Sequence, residues 1–262
     1  MHEAAAIVLA GGRSTRMGSS KAALDWHGST LLWRVSAILA RSVDGPVVVV
    51  RAADQGLPEL PSTVEVATDA NADRGPLEGL AAGLRLLAGD ARLVYASATD
   101  VPLLHPAFVR RVIGAVREED DIALPEVGGH HQPLAAAYRR DILSTLEDLI
   151  AADELRPASL YARCRVRRLS AEELLGDESL ARLDPHLDSL RNLNDRADYE
   201  RACARPGPAI MVKRGSAEPG VVVNAWSLGE AAPSLGVTVS LNGDPVPAEA
   251  QLPLVEGDVV AF

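Results

Sequence analysis

The sequence predicts an α/β protein with a three-layer, Rossmann-like fold around an open, mostly parallel sheet, followed by a small β-rich domain. Short apolar runs alternate with helical patterns as far as about residue 140. Two of the helical patterns begin with proline, which is favoured in the first turn of a helix. At Pro206-Gly207-Pro208 the pattern changes to short strands separated by Gly and Pro.

Six short apolar runs predict the strands of the sheet, and the first is a continuous run that is typical of a strand buried on both faces. The predicted strands are Ala4–Ala10, Val47–Val50, Val64–Ala67, Leu93–Thr99, Asp121–Pro125 and Leu134–Tyr138. Apolar residues at helical spacing predict the helices Ser29–Arg41, Pro76–Leu87, Pro106–Arg117 and Ile142–Ala152. In such sheets ligands bind beyond the carboxyl ends of the strands.

The end of the chain predicts a second domain that is close to the lower size limit for independent folding. We therefore divide the chain into a domain of residues 1–205 and a domain of residues 206–262. Its predicted elements are the strands Ala209–Lys213, Gly220–Ala225, Val237–Asn242 and Asp258–Phe262, and a weak helix, Ser227–Leu235.

Composition excludes several classes of protein. The 262 residues carry a formal net charge of −10, which disfavours binding to nucleic acid because phosphate neutralisation needs clustered Lys and Arg. No apolar run reaches the roughly 20 residues of a membrane helix, and the amino end does not resemble a signal peptide. We therefore expect a cytoplasmic protein that binds no membrane. Cys164 and Cys203 form no CxxC pair, which disfavours a disulfide framework or a zinc site.

A glycine-rich loop with two basic residues follows the first predicted strand. Gly11 and Gly12 let the backbone turn tightly and bring N–H groups close to an anion. Arg16 and Lys21 add positive charge, and Lys21 is one of only two lysines among 26 basic residues. The loop is neither a Walker motif nor a Rossmann fingerprint. We predict that it cradles a triphosphate, the alternative being a plain strand-to-helix turn.

Two aspartates follow predicted strands. Asp100 directly follows the fourth strand, and Mg²⁺ prefers one or two carboxylates together with phosphate oxygens and water. The alternatives are an ordinary turn aspartate and a cap of the next helix, and the cap is weakened by His105, which lies nearer that position. Asp69 follows the third strand, where a carboxylate can accept from N1–H and N2–H₂ of guanine. Asp73 is a nearby competitor, and a solvated loop acid is the alternative interpretation.

The string LAGGRSTRMGSSK, which ends at Lys21, resembles the signature of nucleotidyltransferases with a GT-A-like fold, and within them it is similar to the molybdenum cofactor guanylyltransferases. The resemblance implies that Leu9, Ala10 and Gly11 lie against the nucleotide and that Lys21 contacts its phosphates. Gly12 resembles the guanylyl-transferring branch, since the cytidylyl-transferring branch usually reads Leu-Ala-Ala-Gly.

The resemblance covers roughly residues 4–203, with its motifs in the expected order. It implies that Asp100 binds the metal ion and that Asp69, just before a Gly-Pro-Leu stretch, contacts the base. An Asn-x-Asn element is implied to lie near the metal and the pterin, and a polar segment before a proline is implied to face the acceptor. The residues assigned to the acceptor side are Asn192, Asn194, His131 and Gln132.

The function implied is transfer of GMP from GTP to molybdopterin or molybdenum cofactor, with Mg²⁺ as cofactor and release of pyrophosphate. We expect Lys21, Arg16 and Asp100 to stabilise the charge that develops during transfer. The attacking phosphate is already an anion, so no strong general base is required. Two alternatives remain: nucleotidyl transfer from CTP or to another phosphate acceptor, and a catalytically inactive scaffold for molybdenum cofactor biosynthesis.

The last part of the chain resembles the β-grasp sulfur carriers, such as the small subunit of molybdopterin synthase, in Leu241–Pro247 and Leu254–Phe262. Those carriers act through a carboxyl-terminal Gly-Gly, and this sequence has no such tail. We expect either that the sequence is truncated or that the module only binds a partner, for example another protein of molybdenum cofactor biosynthesis.

Overall fold

The computed structural model describes residues 2–11, 20–69, 71, 74–87, 91–215, 219–232 and 239–262. Through residue 203 the elements in chain order are β1 (His2–Leu9), β2 (Asp25–Trp26), β3 (Ser29–Thr30), α1 (Leu31–Ala40), β4 (Val47–Ala52), β5 (Val64–Asp69), α2 (Pro76–Leu86), β6 (Ala91–Ala98), α3 (Pro106–Ile113), β7 (Ile122–Val127), β8 (His130–His131), β9 (Ala135–Arg139), α4 (Leu143–Ala151), α5 (Pro157–Arg163), β10 (Val166–Leu169), α6 (Ala171–Leu175), α7 (Glu178–Leu183) and α8 (Arg196–Cys203). Short 3-10 turns cover Lys21–Ala23, Arg140–Ile142 and Asp188–Leu190.

The larger sheet has the strand order β10-β7-β9-β6-β1-β4-β5, and β8 pairs with β7. Only β9 runs antiparallel to both of its neighbours along this order, while the other adjacent pairs are parallel. The strands β2 and β3 form a separate hairpin. The predicted mostly parallel open sheet is therefore confirmed. Within the described ranges, no helix has the length and apolar character needed to cross a bilayer.

Helices cover both faces of this sheet, which confirms the predicted three layers. Alternate residues of the central strand β1 face opposite layers, as the pleat of a strand requires. Ala6 and Val8 pack in the same cluster as residues of α1 and α3, while Ala5 and Ile7 pack with residues of α2 and α4. All four side chains are fully buried. The continuous apolar run of the sequence thus reflects a strand buried on both faces.

The predicted elements of this part are all present, and their ends agree within two residues except at α3. That helix ends at Ile113 instead of the predicted Arg117, because the next N–H groups, of Ala115 and Val116, donate to carbonyls only three residues back and form turns. The sequence did not predict the β2–β3 hairpin or the helices α5 to α7.

Two glycines bring α2 close to β1. A Cβ atom added at Gly83 would lie 2.7 Å from Ile7 Cδ1, and one added at Gly79 would lie 3.1 Å from Leu9 Cδ2. Glycine lowers helix stability by about 1 kcal/mol relative to alanine. The close approach therefore explains why both positions lack a side chain.

Replacing Gly83 by alanine is expected to lower the free energy of unfolding by about 1–2 kcal/mol, because overpacking against Ile7 outweighs the gain in helix propensity. In an Ile7→Ala background the same change should stabilise the protein by up to about 1 kcal/mol, since the clashing atoms are gone. Gly56→Ala is the control, because nothing lies within 4 Å of the added Cβ. Urea unfolding measures all of them, and equal effects in both backgrounds would contradict the packing argument.

A second, five-stranded sheet follows, and we call residues 209–261 the C-terminal unit. Its elements are β11 (Ala209–Lys213), β12 (Val221–Asn224), α9 (Leu228–Ala231), β13 (Val239–Leu241), β14 (Asp244–Val246) and β15 (Val259–Ala261). The strand order is β12-β11-β15-β13-β14, with β11 and β15 parallel and the other pairs antiparallel. The unit has a core of its own around Ile210, Leu228 and Val260. The β-grasp resemblance and the domain boundary at residue 205 stay predictions.

Candidate active site

A cavity of about 430 Å³ lies at the carboxyl ends of β1, β5 and β6. This is the edge at which open α/β sheets bind ligands. The strands β1 and β6 are parallel neighbours with Leu9 opposite Ala98, so the segments that follow them leave the sheet side by side. The cavity is lined by Leu9, Ala10, Gly11, Ser20, Lys21, Val50, Arg51, Asp69, Gly75, Pro76, Gly79, Ala98, Thr99, Asp100 and Leu134.

Lys21 and Asp100 meet in this cavity. Lys21 Nζ lies 2.7 Å from Asp100 Oδ2, although the residues are 79 positions apart in the sequence. Their side chains are 24% and 17% exposed, so the pair is shielded but still open to the cavity. Thr99 Oγ1 donates to Leu9 O at 3.0 Å and ties the two strand ends together. A cation and a carboxylate are thereby held side by side where a ligand can enter.

Asp69 ends β5 on the opposite side of the cavity from Asp100 in strand order. It is only 7% exposed, and its Oδ1 accepts from the Asn71 N–H at 2.8 Å. Among the residues that the structure describes, none donates to Asp69 Oδ2, which lies 3.6 Å from the position of an added Cβ at Gly79. The missing side chain of Gly79 leaves space beside this carboxylate oxygen on the cavity wall.

The backbone of the predicted phosphate loop is anchored where it leaves β1. The Ala10 N–H donates to Val50 O at 2.8 Å, and Gln55 Nε2 donates to Ala10 O at 2.8 Å. Gly11 follows as an exposed residue that lines the cavity. The two other loop residues with a predicted role, Gly12 and Arg16, lie outside the described residues, as does the competitor Asp73.

The Asn-x-Asn element lies beside Asp100. The N–H of Leu193 donates to Asp100 O at 2.9 Å, and Leu193 is buried while Asn192 and Asn194 on either side of it are exposed. Neither asparagine lines the cavity. Their assignment to the acceptor side stays a prediction.

The segment of His131 and Gln132 reaches the cavity only through Leu134. His131 Nε2 lies 3.2 Å from Glu126 Oε2, and the Gln132 N–H donates to Pro125 O at 2.9 Å. Neither His131 nor Gln132 lines the cavity, and their predicted contact with the acceptor stays a prediction.

Asp100 is not the cap of helix α3. His105 Nδ1 accepts from the Ala107 N–H at 3.0 Å and is the cap of α3. Burial lowers the pKa of His105, which favours the neutral ring that can accept this hydrogen bond. Asp100 therefore serves no cap and is available to a ligand.

Sequence reasoning missed Arg51, which lines the cavity from the carboxyl end of β4. Its Nη1 donates to Gln55 O at 2.8 Å, and it adds a second cation to the described part of the cavity wall. The signal that could have found it is its place, since the carboxyl ends of all parallel strands meet at one edge.

The side chains of the cavity fit a metal ion that arrives with phosphates. The described residues contain no group of three or more His, Cys, Asp and Glu side chains that could hold a metal ion by themselves. One carboxylate, Asp100, stands at the cavity next to Lys21. Mg²⁺ is bound in this way, by one or two carboxylates with substrate phosphates and water, whereas zinc needs three or four protein ligands.

The mostly parallel sheet carries at its carboxyl edge a loop that begins with glycine, a lysine and an aspartate. This combination is typical of nucleotidyltransferases that act on nucleoside triphosphates. Residues 6–170 match the model of the MobA-like NTP transferase domain. The chain therefore belongs to the MobA-like NTP transferase family. The match ends before residue 209, so the C-terminal unit lies outside it.

Named relatives agree with this family. The chain is 32% identical over 197 residues to the molybdenum cofactor guanylyltransferase of Desulfosudis oleivorans, covering 75% of this chain and 92% of that protein. It is 37% identical over 151 residues to a probable molybdenum cofactor guanylyltransferase of Mycolicibacterium paratuberculosis, covering 56% and 75%. Among solved structures, molybdopterin-guanine dinucleotide biosynthesis protein A of Archaeoglobus fulgidus superposes with a TM-score of 0.57 at 22% identity, covering 76% and 96%, which shows the shared fold.

Proposed function

We propose that this protein transfers GMP from GTP to the terminal phosphate of molybdopterin or molybdenum cofactor and releases pyrophosphate. The names of its relatives support the reaction. The observation that carries the proposal is the pairing of Lys21 with Asp100 at 2.7 Å in a cavity at the carboxyl edge of the sheet. A lysine and a carboxylate side by side suit a magnesium-bound triphosphate, since the lysine can contact the phosphates and the carboxylate can contact the metal ion.

The nucleotide would lie along the end of β1. Leu9, Ala10 and Gly11 line the cavity there, so their backbone can run against the nucleoside. The base would reach Asp69, whose nearly buried carboxylate can accept from both N1–H and N2–H₂ of guanine. Cytosine and adenine cannot offer that pair of donors, and the proposal therefore assigns base selection to Asp69.

The reaction is a displacement at phosphorus. A terminal phosphate oxygen of the acceptor forms a bond to the α-phosphorus of GTP, and the bond from that phosphorus to the oxygen bridging to the β-phosphorus breaks. Lys21 stabilises the negative charge that spreads over the phosphates. Asp100, with the phosphates, would hold Mg²⁺, which polarises the α-phosphate and neutralises the leaving pyrophosphate. The attacking phosphate is already an anion at neutral pH, so no side chain needs to remove a proton.

A nucleotide panel with molybdopterin as acceptor tests the proposed function. Pyrophosphate release should be fast with GTP and Mg²⁺ and at least roughly 100-fold slower with CTP or ATP, because only guanine satisfies Asp69. Preference for CTP would overturn the assignment of the nucleotide. Absence of pyrophosphate release with every nucleotide would favour the scaffold alternative.

Replacing Asp69 by asparagine should raise the Kd for GTP roughly 10- to 100-fold, because a hydrogen bond from guanine to a charged acceptor is worth about 1.5–3 kcal/mol. The amide keeps one acceptor and presents a donor to the guanine amino group. Calorimetry with Mg²⁺ and GTP measures the change, and CTP binding should not weaken. Glu65→Gln, on an exposed position of the same strand β5, is the matched control. Unchanged GTP affinity in Asp69→Asn would remove Asp69 from the base site.

A further inference from the structure

A small hydrophobic cluster contains residues from the segments next to Lys21 and Asp100 and a residue of the C-terminal unit. Trp26 from the β2–β3 hairpin, Leu193 from the segment bonded to Asp100 and Trp226 from the C-terminal unit all take part, and each is less than 10% exposed. Leu103, three positions after Asp100, packs against the same cluster. We call this set the rear cluster: Trp26, Leu31, Leu193, Ala202, Trp226, Leu24, Leu103, Tyr199 and Cys203.

Trp226 packs against the β2–β3 hairpin, which begins four residues after Lys21. Its ring meets the Trp26 ring edge-on at a centroid distance of 5.3 Å and stacks on the His27 ring at 5.3 Å. Only one 3-10 turn, Lys21–Ala23, and two further residues separate Lys21 from Trp26. The Leu31 N–H donates to Leu24 O at 2.9 Å and closes the hairpin. A shift of Trp26 is therefore transmitted to Lys21 through a short and closed segment.

Glu230 of α9 contacts both Trp226 and His27 of the same hairpin. One of its carboxylate oxygens accepts from the Trp226 N–H at 2.7 Å, and the other lies 3.2 Å from His27 Nδ1. Tyr199 OH of α8 donates to Asp25 O of the hairpin at 2.6 Å. Both α8 and the C-terminal unit therefore contact the hairpin.

Arg34 of α1 links the C-terminal unit to the Asp100 segment. Its side chain is 2% exposed, and its Nε donates to Pro102 O at 2.6 Å. Its Nη1 and Nη2 donate to Trp226 O and Leu254 O at 2.9 and 3.1 Å. Burial lowers its pKa to about 9, so the guanidinium is still charged at neutral pH. The guanidinium also faces the Trp226 ring at 5.1 Å.

We propose that the C-terminal unit, through Trp226, positions Lys21 against Asp100 and is thereby part of the working active site. The proposal rests on the proposed function. Trp226 does not line the cavity; it is a positioning residue that acts through Trp26 and, by way of Arg34, through the segment after Asp100. The C-terminal unit is therefore more than an addition to the MobA-like domain, because the segments that follow Lys21 and Asp100 are both linked to it.

Trp226→Ala in the full chain is the test. We expect kcat for GMP transfer to fall roughly 10- to 100-fold, with KM for GTP changed by less than about threefold, because a misplacement of about 1 Å costs on the order of 100-fold in rate. Trp226→Phe keeps an aromatic ring against Trp26 and should restore kcat to within about threefold of wild type. If Trp226→Ala does not fold, Glu230→Gln, which loosens the same contact and keeps every ring, replaces it in the comparison.

A double-mutant cycle separates positioning from a general loss of stability. In a Lys21→Ala background, Trp226→Ala should lower kcat by a clearly smaller factor than it does in the wild-type background, because the part of its effect that acts through Lys21 is gone while the part that acts through Arg34 remains. Arg41→Gln is the matched control: Arg41 pairs with the buried Asp258 of the C-terminal unit at 2.8 Å but contacts neither the hairpin nor Pro102. It should lower the unfolding midpoint and leave kcat unchanged.

The outcomes distinguish this proposal from the proposed function. A wild-type kcat in Trp226→Ala overturns the positioning role, and so does a decrease in kcat by the same factor in the wild-type and Lys21→Ala backgrounds. Neither result affects the proposed reaction of the wild type. A wild type that transfers CMP from CTP overturns the assignment of the nucleotide, and the cycle is then measured with CTP. A wild type that transfers no nucleotide overturns both.

Discussion

Replacing Asp100 by asparagine is expected to lower the turnover of GMP transfer by about 10³-fold, which corresponds to roughly 4 kcal/mol of transition-state stabilisation. The physical reason is that Asp100 is the carboxylate that lines the described wall of the cavity beside Lys21. Asparagine keeps the shape and loses the negative charge that a magnesium-bound triphosphate needs. Pyrophosphate release at saturating GTP and Mg²⁺ measures the loss.

The fold should survive this change. The Lys21–Asp100 pair keeps about a fifth of each side chain exposed, and partly exposed ion pairs contribute only about 1 kcal/mol or less. Asp121→Asn is the matched control, because Asp121 is also paired with a cation, Arg165, at 2.5 Å, but does not line the cavity. Turnover of Asp121→Asn should equal that of wild type. A turnover of Asp100→Asn within tenfold of wild type would remove Asp100 from the reaction.

Replacing Lys21 by methionine should lower turnover by about 10²- to 10³-fold, the cost of removing one preorganised group that stabilises developing charge. Methionine keeps the length of the apolar stem and removes the ammonium. Arginine at this position should not restore turnover, because its planar guanidinium cannot take the place of a compact ammonium 2.7 Å from Asp100. Single-turnover kinetics separate this effect from nucleotide binding.

The chain supplies its own control for this prediction. Lys213, the other of the two lysines, is exposed at the end of β11 in the C-terminal unit. Lys213→Met removes the same charge and should leave turnover unchanged. The double variant Lys21→Met with Asp100→Asn should lose less than the product of the two single losses, since the two side chains act on one triphosphate. Multiplicative losses would mean that they act at separate sites.

The sheet and the reacting pair could be predicted because their signals are local. A continuous apolar run such as Ala4–Ala10 marks a strand buried on both faces, and the residues that follow parallel strands gather at one edge. The loop, the strand end and the family resemblance together predict Lys21 and Asp100, and the structure brings their side chains into contact. The carboxyl end of α3 was not predicted, because the helical pattern continues after Gly114 while the backbone there turns with hydrogen bonds three residues back.

The coupling to the C-terminal unit could not be predicted in the same way. Arg34 lies in an amphipathic helical pattern, where an arginine ordinarily faces solvent, and its partners are main-chain carbonyls 68, 192 and 220 positions away. Backbone acceptors leave no trace in the side-chain pattern. One signal was present: α1 is apolar nearly all round, and such a helix is buried on all sides.

The rear cluster went unpredicted for a related reason. Trp26 and Trp226 are 200 positions apart, and the two-residue strands β2 and β3 are too short to give a periodic signal. The Asn192-Leu193-Asn194 segment was assigned through its asparagines, whereas the described contacts run through the buried Leu193 and its N–H. Tertiary packing decided both cases.

A crystal structure with a non-hydrolysable GTP analogue and Mn²⁺ tests most directly whether Lys21 and Asp100 hold one metal-bound triphosphate. We expect the phosphates between the two side chains, an anomalous manganese peak within bonding distance of the Asp100 carboxylate, and the base at Asp69. A nucleotide bound elsewhere, with the Lys21–Asp100 contact unchanged and no metal at Asp100, would contradict it.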